Sequence, residues 1–339
     1  MLIRLIRPFY HINIIGLFSE RIGDFVVDSM HQYIKNKEPI RKQKNIFYIS
    51  RKNCNSQWTK MVKRNLLCWD CFEHLGYWNN KIPVGEKHSQ SSNVFFGSRD
   101  IKGQFEKNHS LFKFTESEIK KAQEWLKSFG WEKGDPFICL IVRDNSYLDE
   151  APDFINRGFD WSYHDYRNSD ISEYESSINW LLEQGIWVIR MGKRAKKRAD
   201  IRHKKFIDYP FLDTKQDLLD IWLFANCELC ISTLCGADEI SDVYRRPLLL
   251  INFLPLAVAK SWSNAMYVPK KLTWTKTGEE LTLKENLKHS LYHSKEYTEE
   301  GIGIEGLSSE EILLSVKECW NFIRSDMKEV QGSKELQER

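Results

Sequence analysis

Short apolar runs separated by segments of helical spacing characterise the second half of the chain. The apolar runs predict β-strands at 137–142, 186–190, 206–208, 229–232 and 248–252. Between them, apolar residues recur at the three- and four-residue spacing of a helix, over 170–185, over 214–226 and from Ala237 onward. The run 137–142 has no polar alternation, which is typical of a strand buried on both faces of a sheet. This alternation of strands with helices predicts an α/β fold with a parallel, doubly wound sheet.

The first half of the chain begins with a strand, a glycine-containing turn and a helix. Strands are predicted at 12–18 and 46–50, and helices at 25–33 and 115–129. Segment 51–80 has a helical and aromatic pattern, whereas periodicity fails over 81–113, which predicts a long loop. Residues 1–10 are predicted to form a leading strand, with a shallow contact to anionic lipid through Arg4 and Arg7 as the alternative.

The length of the chain indicates about two domains, because the chain has 339 residues and a typical domain has roughly 150. We predict an N-terminal domain over 1–130, a C-terminal domain over 131–325 that ends in a helix, and a charged tail over 326–339. Both domains are expected to be Rossmann-like and to face each other across a cleft. Ligands of such sheets bind beyond the carboxyl ends of the strands, so candidate chemistry is expected there.

Composition excludes several classes of protein. The 50 Lys and Arg residues against 47 Asp and Glu give a net charge of +3, too small an excess for a dedicated nucleic-acid binder. Eight irregularly placed cysteines and the absence of an apolar run of membrane-spanning length predict a cytoplasmic protein, with peripheral contact at the inner membrane face as a further possibility. Cys68, Cys71 and His74 have only partial zinc-ligand spacing, so no metal site is predicted.

The turn after the first strand carries the first candidate site. Asp24 follows Gly23 at the start of a helix, where its carboxylate could act as a base toward an acceptor hydroxyl or simply cap the helix. Arg21 could bind an acidic acceptor or a phosphate, or lie on the surface. We assign Asp24 as the candidate catalytic residue and Arg21 and Gly23 as the candidate acceptor site.

Cationic and amide side chains after the predicted strands are candidates for binding a ligand that carries phosphate groups, and we call them the candidate donor site. Arg143 ends a buried strand, where it could bind phosphate or pair with the neighbouring aspartate. Arg167 and Asn168 precede a helix and could hold an anion or serve as capping residues. Arg190 and Lys193 flank a glycine after another strand, and are candidates either for a phosphate clamp or for a solvated positive face.

The small-residue turn after strand 229–232 completes the candidate donor site. Free N–H groups near Ser232, Thr233 and Gly236 could meet a phosphate or sugar oxygen. Asp238 and Glu239 open the next helix, so they could hydrogen-bond sugar hydroxyls or only complement the helix dipole. The turn has neither the Gly-Lys-Ser/Thr of a P-loop nor the glycine fingerprint of dinucleotide binding.

Several short segments of the sequence also resemble those of a known family. The segments are RIGD at 21–24, YRNSDI at 166–171, GIWVIRMG at 185–192, CIST at 230–233, RP at 246–247 and NFLP at 252–255. They resemble a bacterial family of predicted surface-polysaccharide glycosyltransferases, over most of the chain and most strongly from Phe137 to Leu256. The sequence is more loosely similar to heptosyltransferases, in which an aspartate at the place of Asp24 lies near the acceptor hydroxyl.

The resemblance implies a GT-B-like fold and the transfer of a sugar from a nucleotide sugar to a glycan or glycolipid of the bacterial surface. No cofactor and no metal are expected, because Arg143, Arg190 and Lys193 could neutralise the leaving group. Two alternatives stay open. One is the transfer of another activated group, such as pyruvyl, on the same fold. The other is a non-catalytic scaffold that binds anions through the basic strip 193–205.

Overall fold

The computed structural model describes residues 2–37, 42–49, 52–91, 104–107, 111–146, 162–260, 263–289 and 291–325. Within these ranges the strands are β1 His11–Leu17, β2 Gln43–Ile49, β3 Ser89–Ser91, β4 Phe137–Ile141, β5 Trp187–Arg190, β6 Phe206–Asp208, β7 Leu229–Ser232, β8 Leu248–Phe253, β9 Ala265–Pro269, β10 Lys271–Trp274 and β11 Ile302–Glu305. The helices are α1 Leu2–Ile6, α2 Ile22–Lys37, α3 Ser56–Asn65, α4 Cys71–Asn80, α5 Gln104–Lys107, α6 Glu116–Lys127, α7 Glu175–Glu183, α8 Asp217–Asn226, α9 Asp238–Val243, α10 Leu283–Lys288, α11 Ser294–Glu299 and α12 Ser309–Arg324.

The larger sheet is parallel and doubly wound. Its strand order is β6-β5-β4-β7-β8-β9, and each neighbouring pair runs parallel. Strand β4 is followed along the chain by strands on one side and then by strands on the other, so the order reverses between β4 and β7. Such a reversal is where ligands of doubly wound sheets bind. The predicted parallel α/β sheet is therefore confirmed.

The smaller sheet lies in the first half of the chain and has the order β2-β1-β3, with both pairs parallel. One face, which carries Ile15 and Phe47, belongs to the main hydrophobic core. The other face, which carries Ile14 and Ile46, packs against Ile3 of α1. A leading strand at the N-terminus was therefore a wrong prediction, because residues 2–6 form a helix whose apolar side is buried on this sheet.

Segment 81–113 contains more regular structure than the predicted loop. A 3₁₀ turn at Gly85–His88 leads directly into β3, which pairs with β1. Three polar residues give no strand signal in the sequence, so β3 could not be recognised there. The capped helix predicted at 115–129 is confirmed as α6, in which Thr115 and Glu118 form a reciprocal capping box. The charged tail 326–339 lies outside the described residues.

A continuous apolar core joins the two sheets. Helix α2 packs against α9, and α3 packs against α8. The indole of Trp58 is fully buried between the rings of Phe112 and Tyr244, and its Nε1 donates a hydrogen bond of 2.9 Å to the Ser29 hydroxyl. The described helices include none that is both long and apolar enough to cross a membrane. The domain boundary near residue 130 and a cleft between two equal domains stay predictions.

We expect Trp58→Ala to lower the free energy of unfolding by about 3–5 kcal/mol, because it opens a large cavity where the two sheets share their core. Denaturant unfolding followed by circular dichroism measures the change. Trp78→Ala is the matched control, since the Trp78 side chain is 66% exposed and should change stability by no more than about 0.5 kcal/mol. Equal effects of the two substitutions would contradict a shared core.

Candidate functional site

Two arginines meet at the reversal point of the larger sheet. The backbone N–H of Arg143, which follows β4, donates a hydrogen bond of 2.8 Å to the Thr233 hydroxyl at the end of β7. Arg167 ends a 3₁₀ helix at Ser162–Arg167, and its Nη2 donates to the backbone carbonyl of Leu234. The backbone of Arg143 and the side chain of Arg167 are therefore both held against the turn after β7.

Among the described residues, the two guanidinium groups form no ion pair with a carboxylate. The Nε atoms of Arg143 and Arg167 are buried, and neither has a hydrogen-bond partner. Burial, together with the nearby positive charge of Arg167, lowers the pKa of Arg143. The negative charge of nearby Asp165 raises the pKa of Arg143 by a smaller amount, without forming an ion pair with it. Since guanidinium forks match phosphate and carboxylate oxygens, this pair is suited to bind an anion.

His164 belongs to the same cluster, and sequence reasoning missed it. Burial and the positive charges of Arg167, Arg143 and Arg21 lower the pKa of His164 to about 3, so its imidazole is neutral at physiological pH. Its buried Nδ1 has no hydrogen-bond partner. The ring lies 3.9 Å from that of Tyr163, which in turn lies 4.9 Å from the ring of His293. No periodic or motif signal marks this segment, which explains why it escaped notice.

Ser232 and Asp238 fix the shape of the turn after β7. The Ser232 hydroxyl donates a hydrogen bond of 2.6 Å to Asp238 Oδ2, and the Cys235 N–H donates to the same oxygen at 2.9 Å. Burial raises the pKa of Asp238 to about 7, and the charge of Glu239 adds to this shift. Both side chains are therefore engaged within the protein, and their predicted contact with a donor stays a prediction.

Two glycines allow the start of α2 to touch this turn. A Cβ atom on Gly23 would lie 2.9 Å from the carbonyl oxygen of Gly236, and one on Gly236 would lie 3.3 Å from the Gly23 nitrogen. The Glu239 side chain packs against the same point and pairs with Lys260. The predicted acceptor turn and the predicted donor turn are thus in direct contact. Asp24 follows Gly23 directly, so it lies next to this contact.

Asp24 lies in the first turn of α2, which begins at Ile22, three residues before the predicted start of this helix. Its side chain is accessible to solvent, while the surrounding protein removes enough water from the carboxylate to raise its pKa. The negative charge of Glu239 raises that pKa further, and the positive charge of Arg21 opposes the shift. An accessible carboxylate with a raised pKa is suited to accept a proton from a bound hydroxyl.

Arg190 and Lys193 have partners other than those expected of a phosphate clamp. The buried Arg190 guanidinium donates to the Lys197 carbonyl at 2.7 Å and pairs with Asp208 at 3.3 Å. The Lys193 ammonium donates a hydrogen bond of 2.6 Å to the carbonyl of Cys54, just before α3. Arg190 thereby ties β5 to β6, and Lys193 ties the β5 loop to the first half of the chain.

We expect Arg190→Met to lower the free energy of unfolding by about 3–5 kcal/mol, because the carboxylate of Asp208 would lose its partner in a largely buried position. Combining it with Asp208→Asn should restore part of the loss, which denaturant unfolding of the three proteins would measure. Unchanged stability together with weaker nucleotide binding would instead favour the clamp role.

A cavity of about 380 Å³ opens beside the arginine pair, at the carboxyl ends of the strands. Its lining includes Val142, Asn168, Arg190, Lys197, Asn252 and Lys270. Asn168 follows Arg167 directly, and its side-chain oxygen is buried without a hydrogen-bond partner. The volume lies within the range of small-molecule sites, and the unused amide oxygen is an acceptor for a ligand. Among the described residues, no group of three or more His, Cys, Asp or Glu side chains could hold a metal ion.

Comparisons with known proteins point to one fold. No protein-family model and no curated protein matches the sequence. The structure is similar to that of a glycosyl transferase family 9 protein from Veillonella parvula, with a TM-score of 0.54 and 10% identity over 92% of this chain and 98% of that chain. It is also similar to E. coli ADP-heptose LPS heptosyltransferase II, with a TM-score of 0.51 and 11% identity over 94% of this chain and 100% of that one. The chain therefore shares the fold of these glycosyltransferases.

Proposed function

We propose that the protein transfers a sugar from a nucleotide-sugar donor to a hydroxyl group of a glycan or glycolipid acceptor. One observation carries the proposal: two guanidinium groups that form no ion pair with any described carboxylate lie at the reversal point of a doubly wound sheet, beside the turn that contacts the start of α2. The similarity of fold to glycosyltransferases supports it. The particular family of surface-polysaccharide enzymes, the donor sugar and the acceptor stay predictions.

Arg143 and Arg167 would bind the diphosphate of the donor. When the bond between the anomeric carbon and the phosphate oxygen breaks, negative charge accumulates on the diphosphate. Guanidinium groups that are already oriented stabilise this charge without reorganising. The nucleoside part of the donor would lie in the cavity beside Asn168, whose free amide oxygen can accept a hydrogen bond from it.

Asp24 would serve as the general base. Its carboxylate takes the proton of the acceptor hydroxyl while that oxygen forms a bond to the anomeric carbon and the nucleoside diphosphate departs. A single displacement of this kind inverts the anomeric configuration. Neutral His164, within the cationic cluster, can donate or accept a hydrogen bond to the bound groups without adding charge.

A thermal-shift screen with UDP, GDP, ADP, TDP and CMP tests the proposal first, since a ligand that binds only the folded state raises the melting temperature. We expect selective stabilisation by one nucleoside diphosphate. The corresponding nucleotide sugar should then release that diphosphate when an acceptor is present. Release without any new glycosylated product would indicate transfer of the sugar to water, and no binding of any nucleotide would contradict the proposal.

The fall in activity on the acid side of the pH–rate profile should follow the protonation of the Asp24 carboxylate. Because the base must be ionised and its pKa is raised, activity should fall with decreasing pH at values above the usual aspartate range near pH 4. Arg21→Gln removes a charge that lowers this pKa, so the fall should move to higher pH. Initial rates measured from pH 4 to 9 on both proteins would show the shift, and a fall that moves to lower pH would contradict the assignment.

A further inference from the structure

Large exposed apolar side chains concentrate on one side of the smaller sheet. Helix α1 and helix α4 both cover the face of that sheet on which Ile14 and Ile46 lie. Ile3 of α1 packs against these two isoleucines, and Phe72 of α4 lies against the same cluster. A Cβ atom on Gly76 would stand 3.2 Å from the Ile14 side chain, so α4 sits close on the sheet.

Helices α1 and α4, together with the residues next to them in the chain, carry large apolar side chains that the fold leaves exposed. We call this surface the aromatic face and define it by Leu5, Phe9, Trp69, Tyr77 and Trp78. Phe9 is 75% exposed and Trp69 is 62% exposed. Neighbouring rings preorganise part of the surface, since the Tyr77 and Trp78 centroids lie 5.3 Å apart and those of Trp69 and Phe72 lie 6.0 Å apart. An exposed apolar cluster of this size is typical of a docking surface.

The charges around the aromatic face favour a negatively charged partner. Lys81 follows α4 with its ammonium 5.3 Å from the centre of the Tyr77 ring, and Arg7 follows α1. The Asp70 carboxylate at the start of α4 is already paired with Lys63 at 2.8 Å. Glu73 of α4 is also engaged in an interaction within the protein. Apolar and aromatic side chains next to cations such as Arg7 and Lys81 are the composition of a surface that binds at the interface of an anionic bilayer.

We propose that the aromatic face docks the protein onto an anionic phospholipid surface. Trp and Tyr rings have an apolar body and a polar edge, so they are favoured at the level of the headgroups. A second copy of the chain fits less well, because a two-fold interface would bring the Arg7 and Lys81 of both copies onto one patch. The proposal is independent of sugar transfer and can be tested without any activity.

Vesicle co-sedimentation of the full-length protein tests this docking. We expect binding to vesicles of phosphatidylcholine with 30% phosphatidylglycerol, and a fall of about tenfold or more in the partition coefficient for W69S/W78S. The matched control is L283S/L314S, which removes exposed apolar side chains from α10 and α12. The control should bind as the parent does, and all three proteins should have the same melting temperature. R7Q/K81Q should weaken binding to these vesicles.

Three results would overturn the proposal. The parent could stay in the supernatant with both these vesicles and pure phosphatidylcholine, or W69S/W78S could sediment as the parent does. Light scattering after size exclusion supplies the third result. If the parent is a dimer that W69S/W78S dissociates, the aromatic face is an interface between two copies of the chain.

Discussion

Replacing Arg143 and Arg167 together by glutamine should remove nucleotide binding while leaving the protein folded. Each guanidinium that binds a phosphate contributes about 1.5–3 kcal/mol, so the double substitution should weaken affinity by roughly a hundredfold to ten-thousandfold. The two charges repel each other and form no ion pair with a described carboxylate, so their loss should cost little more stability than the hydrogen bond from Arg167 to the Leu234 carbonyl, about 1.5–3 kcal/mol. Calorimetric titration of the preferred nucleotide measures the affinity.

A charge-matched control separates a specific site from general positive charge. Lys204 is exposed in the basic strip 193–205, and K204Q together with R202Q also removes two positive charges. We expect this control to bind the nucleotide as the parent does. If the control loses binding and R143Q/R167Q retains it, the strip is the anion-binding surface and the scaffold alternative gains support.

The central part of the larger sheet could be predicted closely from the sequence. Strand β7 forms over the predicted residues 229–232, and β4 begins at Phe137 as expected. Strands buried on both faces require continuous apolar runs, and such runs are visible without any tertiary information. Strand β9, Ala265–Pro269, was missed because this short apolar run ends in a proline, which is uncommon inside a sheet; β9 accommodates it at the edge of the larger sheet, where its side chains are only partly buried.

The site could be predicted only in part. The position of Arg143 after a buried strand correctly indicated a place at the carboxyl end of the sheet. Arg190 ends β5 in the same way, yet its side chain turns toward Asp208 on β6, and no local pattern distinguishes these two directions. His164 enters the cluster through the tertiary position of its 3₁₀ helix. Pairings between distant segments of this kind cannot be read from periodicity.

The substitution Asp24→Asn should lower the turnover number by about a hundredfold to ten-thousandfold, since a general base contributes this much to a proton transfer. Nucleotide affinity should not change, because the role proposed for Asp24 is toward the acceptor hydroxyl and not toward the nucleotide. Stability should fall by no more than about 1 kcal/mol, from the loss of a negative charge near the start of α2. Asparagine also replaces aspartate well as a helix cap, so a purely capping role predicts almost no change.

Steady-state and single-turnover rates with the preferred donor distinguish these two roles of Asp24. A drop in the chemical step at unchanged nucleotide affinity and melting temperature would identify the carboxylate as the base. Asp24→Glu keeps a carboxylate but moves it outward, and it should retain more activity than the asparagine variant. An Asp24→Asn protein that turns over at the parental rate would leave Asp24 as a surface residue of α2. The proton of the acceptor would then have to leave through another group near Gly23, with Glu239 as the nearest carboxylate that packs there.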